Sequence, residues 1–219
     1  MNFEQARFNM VEQQIRPWDV LDFDVLDALS EVPREYFVAE SQQAYAYADK
    51  TLPLPNGGSM LEPKIVARLI QGLALKADDK VLEVGTGSGY AAALLSKLSA
   101  NVITVDVDAE QQQRAKAVLD KLGFNKIIYE VGDGLAGALG GAPFDAVYIG
   151  GAVPVVPEAL KNQLNNNGGR MVVVVGEAPV QRALLITRNG DAFAEQVLFD
   201  TYIPQLKTPT LSPTAKFNF

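Results

Sequence analysis

Apolar positions in the first third of the chain recur at helical spacing. Phe3, Ala6, Met10, Val11 and Ile15 form one stripe that runs until Pro17, and Val20, Leu21, Val25, Leu26 and Leu29 form a second that ends at Val32-Pro33. Pro33 fits the first turn of a further short helix. Residues 49–63 then carry three prolines and two adjacent glycines, which predicts an irregular loop. A helix follows from Pro63 to Leu75, with Ile65, Val66, Leu69, Ile70 and Leu73 on one face.

From Lys80 the pattern changes. Short apolar runs at 81–84, 102–105, 126–131, 146–149 and 171–175 are separated by helical stretches, as in a parallel sheet covered on both faces. Two later runs, 183–188 and 195–203, flank Asn189-Gly190, a hairpin signal that predicts an antiparallel edge. The fold class is therefore α/β, a doubly wound, mostly parallel, seven-stranded sheet with an N-terminal helical extension. One structural domain is expected, with residues 1–79 as the extension and substrate loop, 80–206 as the core and 207–219 as a loosely attached tail.

Composition narrows the chemistry. The 219 residues contain neither Cys nor His, so a disulfide, a thiolate nucleophile, a zinc site of the usual kind and a Ser-His-Asp triad are excluded. No metal site is expected. A net charge of −7 opposes binding to nucleic acid. The N-terminus lacks a basic start followed by an apolar core, and no apolar stretch approaches the roughly 18 residues that a membrane span needs. A cytoplasmic protein without membrane attachment is the expectation.

The run Glu83-Val84-Gly85-Thr86-Gly87-Ser88-Gly89-Tyr90 leaves a strand and opens a helix, so its backbone amides can crowd against a ligand. A dinucleotide fold would need glycine where Tyr90 stands. Glycines at 85, 87 and 89, with an acid two residues before the first, form the pattern of S-adenosylmethionine sites. That ligand presents a sulfonium and an ammonium in place of a pyrophosphate, which suits the carboxylates of Glu83, Asp106 and Asp133.

Asp106 ends the second core strand, with Val107 beside it, where an acid can accept from both hydroxyls of a ribose. Asp108 and Gln111 offer a capping box for the next helix, which leaves Asp106 free for that role. Gly132-Asp133-Gly134 closes the third strand, where Asp133 could accept from the adenine amino group. Thr86, Ser88 and Gly134 complete the candidate cofactor set.

Further residues carry a family resemblance. Arg7, Met10-Val11-Glu12, Gln14-Ile15, Val25-Leu26, Val32-Pro33-Arg34-Glu35, Phe37-Val38, Ala44-Tyr45 and Asp49 resemble the N-terminal pattern of protein-L-isoaspartate O-methyltransferases. Residues 81–90, Leu122-Gly123, Gly132-Asp133-Gly134, Pro143-Phe144-Asp145, Pro157, Ala159-Leu160, Gln163-Leu164 and Gly168-Gly169-Arg170 continue it in order, so that it spans about residues 3 to 206. The resemblance implies methyl transfer from S-adenosylmethionine to the free carboxylate of an isoaspartyl residue in a protein or peptide. Such an acceptor is ionised at neutral pH and is itself the nucleophile, so no general base is required.

The substrate loop departs from this pattern. In Ser59-Met60-Leu61-Glu62, Ser59 can stand for the family's Thr and is the candidate catalytic residue, whereas Leu61 takes the place of the family's serine. Losing that hydroxyl predicts weak or absent isoaspartyl methylation with cofactor affinity nearly unaffected, and Glu62 adds a charge that would repel a carboxylate. Gly150-Gly151-Ala152 replaces Thr-Ala-Ala after the fourth strand, a change that drift or an altered function could equally produce, and Ile203-Pro204-Gln205 replaces Val-Pro-Leu. Three alternatives stay open: a diverged methyltransferase for another acceptor, a protein that binds the cofactor without turnover, and a nicotinamide oxidoreductase, the last disfavoured by Tyr90.

Overall fold

The computed structural model describes residues 2–137 and 140–211. The N-terminal stripe folds as α1 (Phe3–Asn9), capped by the Asn2 side chain, which accepts from the Gln5 N–H. It continues through one π-helical stretch, Met10–Ile15, and a 3-10 turn, Arg16–Trp18. Asp22 caps α2 (Phe23–Glu31), so Leu21 precedes the helix and is 69% exposed rather than part of its buried stripe. Pro33 precedes a 3-10 turn at Arg34–Phe37.

The loop expected over 49–63 contains a small antiparallel ribbon, β1 (Leu52–Pro53) with β2 (Ser59–Met60). Pro63 then starts α3 (Pro63–Leu73), which stops two residues earlier than expected because Ala74 adopts φ +45°.

The core alternates β3 (Lys80–Val84), α4 (Tyr90–Leu98), β4 (Asn101–Asp106), α5 (Ala109–Lys121), β5 (Ile127–Val131), β6 (Ala146–Val153), α6 (Glu158–Asn162) and β7 (Asn167–Val175). The hairpin β8 (Gln181–Asn189) and β9 (Ala192–Thr201) completes a sheet of order β5-β4-β3-β6-β7-β8-β9. The first five of these are parallel and the last two antiparallel, as the alternating runs and the Asn189-Gly190 turn required.

Strand alternation divides the interior. Val81, Val102, Tyr148 and Val172 face the N-terminal helices, α3 and α4, while Leu82, Ile103, Val147 and Met171 face Leu160 and Leu164. The buried cluster on the first side runs from Met10 to Ile203, so the helical extension shares the core. The chain past Lys207 is attached where the sequence suggested a loose tail: Thr208 is buried and a 3-10 turn follows at Pro209–Leu211. The rest of that tail, 212–219, lies outside the described residues. No described helix is long and apolar enough to cross a membrane.

The order β5-β4-β3-β6-β7 decides where a ligand fits. Because the chain leaves β3 in one direction and β6 in the other, a crevice opens between their C-terminal ends.

Candidate active site

A cleft occupies that crevice, the place where open α/β sheets take small-molecule ligands. Its floor is Val84, Gly85, Gly87, Val105, Asp106, Val107, Gly132, Gly134, Gly150 and Gly151, and its walls are Leu54, Asn56 to Ser59, Leu61 and the segment Pro204 to Thr208. Gly85 turns with φ +91°, and its N–H donates to the Val105 carbonyl at 2.8 Å. A β-carbon there would lie 2.8 Å from a Leu206 methyl and intrude into the cleft.

Asp106 lines the cleft as expected, but it is not free. Its Oδ2 accepts the Gly87 N–H at 3.0 Å and its Oδ1 accepts the Asp108 N–H at 2.9 Å. Each oxygen retains a second acceptor site, so the carboxylate is held in place and still able to receive a hydroxyl pair. Asp108 caps α5, accepting from the Glu110 and Gln111 N–H groups, and those bonds, led by the one from Gln111, hold its own pKa down. The capping box is only half formed, because the Gln111 side chain donates instead to the Gly87 carbonyl at 2.8 Å.

The other expected ligand groups sit differently. Asp133 caps the 3-10 turn Gly134–Ala136 by accepting the Leu135 N–H, and its neighbours Gly132 and Gly134 line the cleft in its place. Gly89 packs against Ala115 and Leu119 of α5 and lines no part of the cleft. The Ser88 hydroxyl accepts the Tyr90 N–H at the start of α4.

Glu83, Thr86, Ser88 and Tyr90 line a smaller inner pocket that shares Ser59, Leu61, Gly85, Gly87 and Gly150 with the main cleft. Glu83 is fully buried, and burial pushes its carboxyl up to about 8, with the Thr104 hydroxyl bond offsetting part of the shift. Burial thus favours the protonated form of Glu83, and the acidic residue lining the main cleft is Asp106. Glu83 Oε1 has no hydrogen-bond partner among the described residues.

In the substrate loop, Ser59 and Leu61 line both cavities, whereas Met60 is buried and lines only the inner one. The Ser59 hydroxyl has no hydrogen-bond partner among the described residues. Glu62 lines neither cavity, and it interacts electrostatically with the buried Arg34. Arg34 is fully buried, donates to the Ala46 and Leu61 carbonyls at 2.8 Å each, and lies over the Tyr90 ring at 4.7 Å. Burial lowers its pKa. It is a buried strut for the loop, a role its pattern position did not indicate.

The glycines at 150 and 151 reflect close packing. A β-carbon at Gly150 would stand 2.9 Å from the Gly85 carbonyl oxygen, and one at Gly151 would stand 3.0 Å from Leu206 backbone atoms. Gln112 and Lys207 were also missed. Gln112 donates to the Glu130 carbonyl at 2.7 Å and reaches Thr86 Oγ1 and the Thr104 carbonyl at 3.3 Å. Its one signal was a polar residue in the apolar stripe with Ala115 and Leu119.

Residues 6–207 match the sequence profile of protein-L-isoaspartate(D-aspartate) O-methyltransferase. The chain belongs to that family. A protein-L-isoaspartate O-methyltransferase from Roseiflexus sp. (strain RS-1) is 39% identical over 205 residues, covering 93% of both chains. A solved structure of a protein-L-isoaspartate O-methyltransferase superposes with a TM-score of 0.80 at 25% identity, and this chain spans 66% of its length. A Plasmodium falciparum structure named for the same activity, in complex with S-adenosyl-L-homocysteine, shares the fold with a TM-score of 0.76, 20% identity and coverage of 94% of this chain and 99% of that one.

S-adenosyl-L-methionine is the cofactor of this methyltransferase family. The cleft fits such a group: Gly85 keeps open a floor that a side chain would fill, Asp106 offers acceptors for a ribose, and Glu83 Oε1 is left without a partner at the inner end.

Proposed function

We propose that this protein is a cytoplasmic enzyme that methylates the free carboxylate of isoaspartyl residues in proteins or peptides, with Ser59 orienting the acceptor in place of the family's serine. The observation that carries this reading is the unpartnered Ser59 hydroxyl in the wall common to the cleft and its inner pocket, which Gly85, Gly87 and Gly150 also line. When bound, S-adenosylmethionine supplies an electrophilic methyl group. Gly85, Gly87, Asp106, Val107 and Gly134 would line its place, with Thr86, Ser88, Gly89, Glu83 and Asp133 fixing the loops around them.

The chain's own contribution is positional. Ser59 donates to one oxygen of an acceptor that is already ionised, leaving the other to attack, and Leu61 and Leu206 exclude water from the reacting oxygen. In this reading residues 1–79 cover the site, 80–206 form the cofactor-binding core, and 207–219 form a tail whose first residues close the cleft. Nucleic acid and membranes are not partners.

Ser59→Ala should lower kcat/KM for an isoaspartyl peptide by about one to two decades, since hydrogen bonds to charged groups are worth about 1.5 to 3 kcal/mol. Affinity for S-adenosylhomocysteine should hold. Initial rates with labelled cofactor measure this, and a Ser59→Ala variant as active as the natural protein would contradict the assignment. Leu61 presents an apolar wall in both cavities and favours a second reading, a different methyl acceptor. Under that reading the natural protein leaves isoaspartyl peptide unmodified.

A further inference from the structure

A carboxylate acceptor needs a cation, and the site is poor in them. Among the described residues lining the cleft and its inner pocket, the acidic and basic side chains are Glu83, whose burial favours the neutral form, Asp106 and Lys207. The chain as a whole carries −7. Arg34 lines neither cavity and is committed to the Ala46 and Leu61 carbonyls. Among the described residues, Lys207 is the one basic group in position.

Its placement is built by the fold. The segment 204–208 is joined to β6 by the Ala152 N–H donating to the Pro204 carbonyl at 2.9 Å and the Leu206 N–H donating to the Ala152 carbonyl at 2.8 Å. From that anchored segment the Lys207 ammonium donates to the Gly57 carbonyl, two residues before Ser59. An ammonium has three N–H donors, so this bond fixes the side chain and leaves two for a ligand. Lys207 itself is exposed, at the mouth of the cleft.

We propose that Lys207 is a specificity-determining residue that receives the acceptor's carboxylate at the cleft mouth and guides it toward Ser59. This rests on the isoaspartyl reading above. It also accounts for how a loop carrying Leu61 can still admit an anion: attraction comes from the C-terminal segment, which packs against the loop, rather than from the loop itself.

Steady-state kinetics on Lys207→Gln and Lys207→Arg, with calorimetry of S-adenosylhomocysteine binding, tests the assignment. Lys207→Gln should raise KM for an isoaspartyl peptide by about tenfold or more, the size of a lost hydrogen bond to a charged group, with a much smaller effect on kcat. S-adenosylhomocysteine affinity should hold, and Lys207→Arg should restore KM to near the natural value. The natural protein's KM should also rise with added salt more steeply than that of Lys207→Gln. Equal KM values in the natural protein and Lys207→Gln would overturn the inference while leaving the isoaspartyl reading standing. A fall in S-adenosylhomocysteine affinity that parallels the change in KM would overturn it too, by assigning Lys207 to the cofactor. A natural protein that transfers no methyl to isoaspartyl peptide overturns both, a result visible before any variant is made.

Discussion

Each oxygen of the Asp106 carboxylate is tethered by one backbone N–H, from Gly87 or Asp108, and keeps an acceptor site for a ligand. Asp106→Ala should therefore weaken S-adenosylhomocysteine binding by about 1 to 3 kcal/mol in calorimetry, and undiminished affinity would remove Asp106 from the site. Glu83 behaves in the opposite way. Its carboxyl rises from 4.5 to about 8 on burial, so the folded protein binds a proton there that the unfolded chain releases. The contribution of Glu83 to stability is greatest below about pH 4.5 and is lost as pH rises through about 8. Glu83→Gln should flatten that part of the pH profile of urea unfolding; an unaltered profile would contradict the protonated assignment. The position of Glu83 before the glycines was legible from spacing. Its charge state was not, because that depends on Thr104 and on the layers above and below the sheet, which come from distant parts of the chain.

At the scale of elements, β6 and the glycine loop approach each other more closely than side chains allow. Gly150→Ala would bring a β-carbon to 2.9 Å from the Gly85 carbonyl oxygen and 3.3 Å from that of Val84. It should cost about 1 to 3 kcal/mol in urea unfolding and weaken S-adenosylhomocysteine binding, because relief requires moving the loop that forms the cleft floor. Gly140, where a β-carbon would meet no atom of the described residues within 4 Å, should tolerate alanine within about 0.5 kcal/mol. Strands and helices were legible because apolar period and turn residues are local signals, as at Asn189-Gly190. Contacts between elements were not. Gln111 bonding to Gly87, Arg34 supporting Leu61 and Lys207 bonding to Gly57 each join residues far apart in sequence, and nothing in local spacing marks them.

In the proposed reading the whole molecule joins a cofactor site, read from one strand-loop-helix run, to an acceptor wall assembled from the loop at 54–61 and the segment 204–208, all of which line one cleft. The cofactor half was visible in sequence because glycines and acids at successive strand ends share one crevice. The proposed acceptor half was visible as Ser59 and the departure at Leu61, whereas Lys207 shares that cleft only through the fold. The most direct measurement is methyl transfer from labelled S-adenosylmethionine to an isoaspartyl peptide and to its normal aspartyl twin, with the natural protein. Saturable transfer to the isoaspartyl peptide and none to the twin is the result predicted here. Equal labelling of the two, or of neither while S-adenosylhomocysteine still binds, would contradict it.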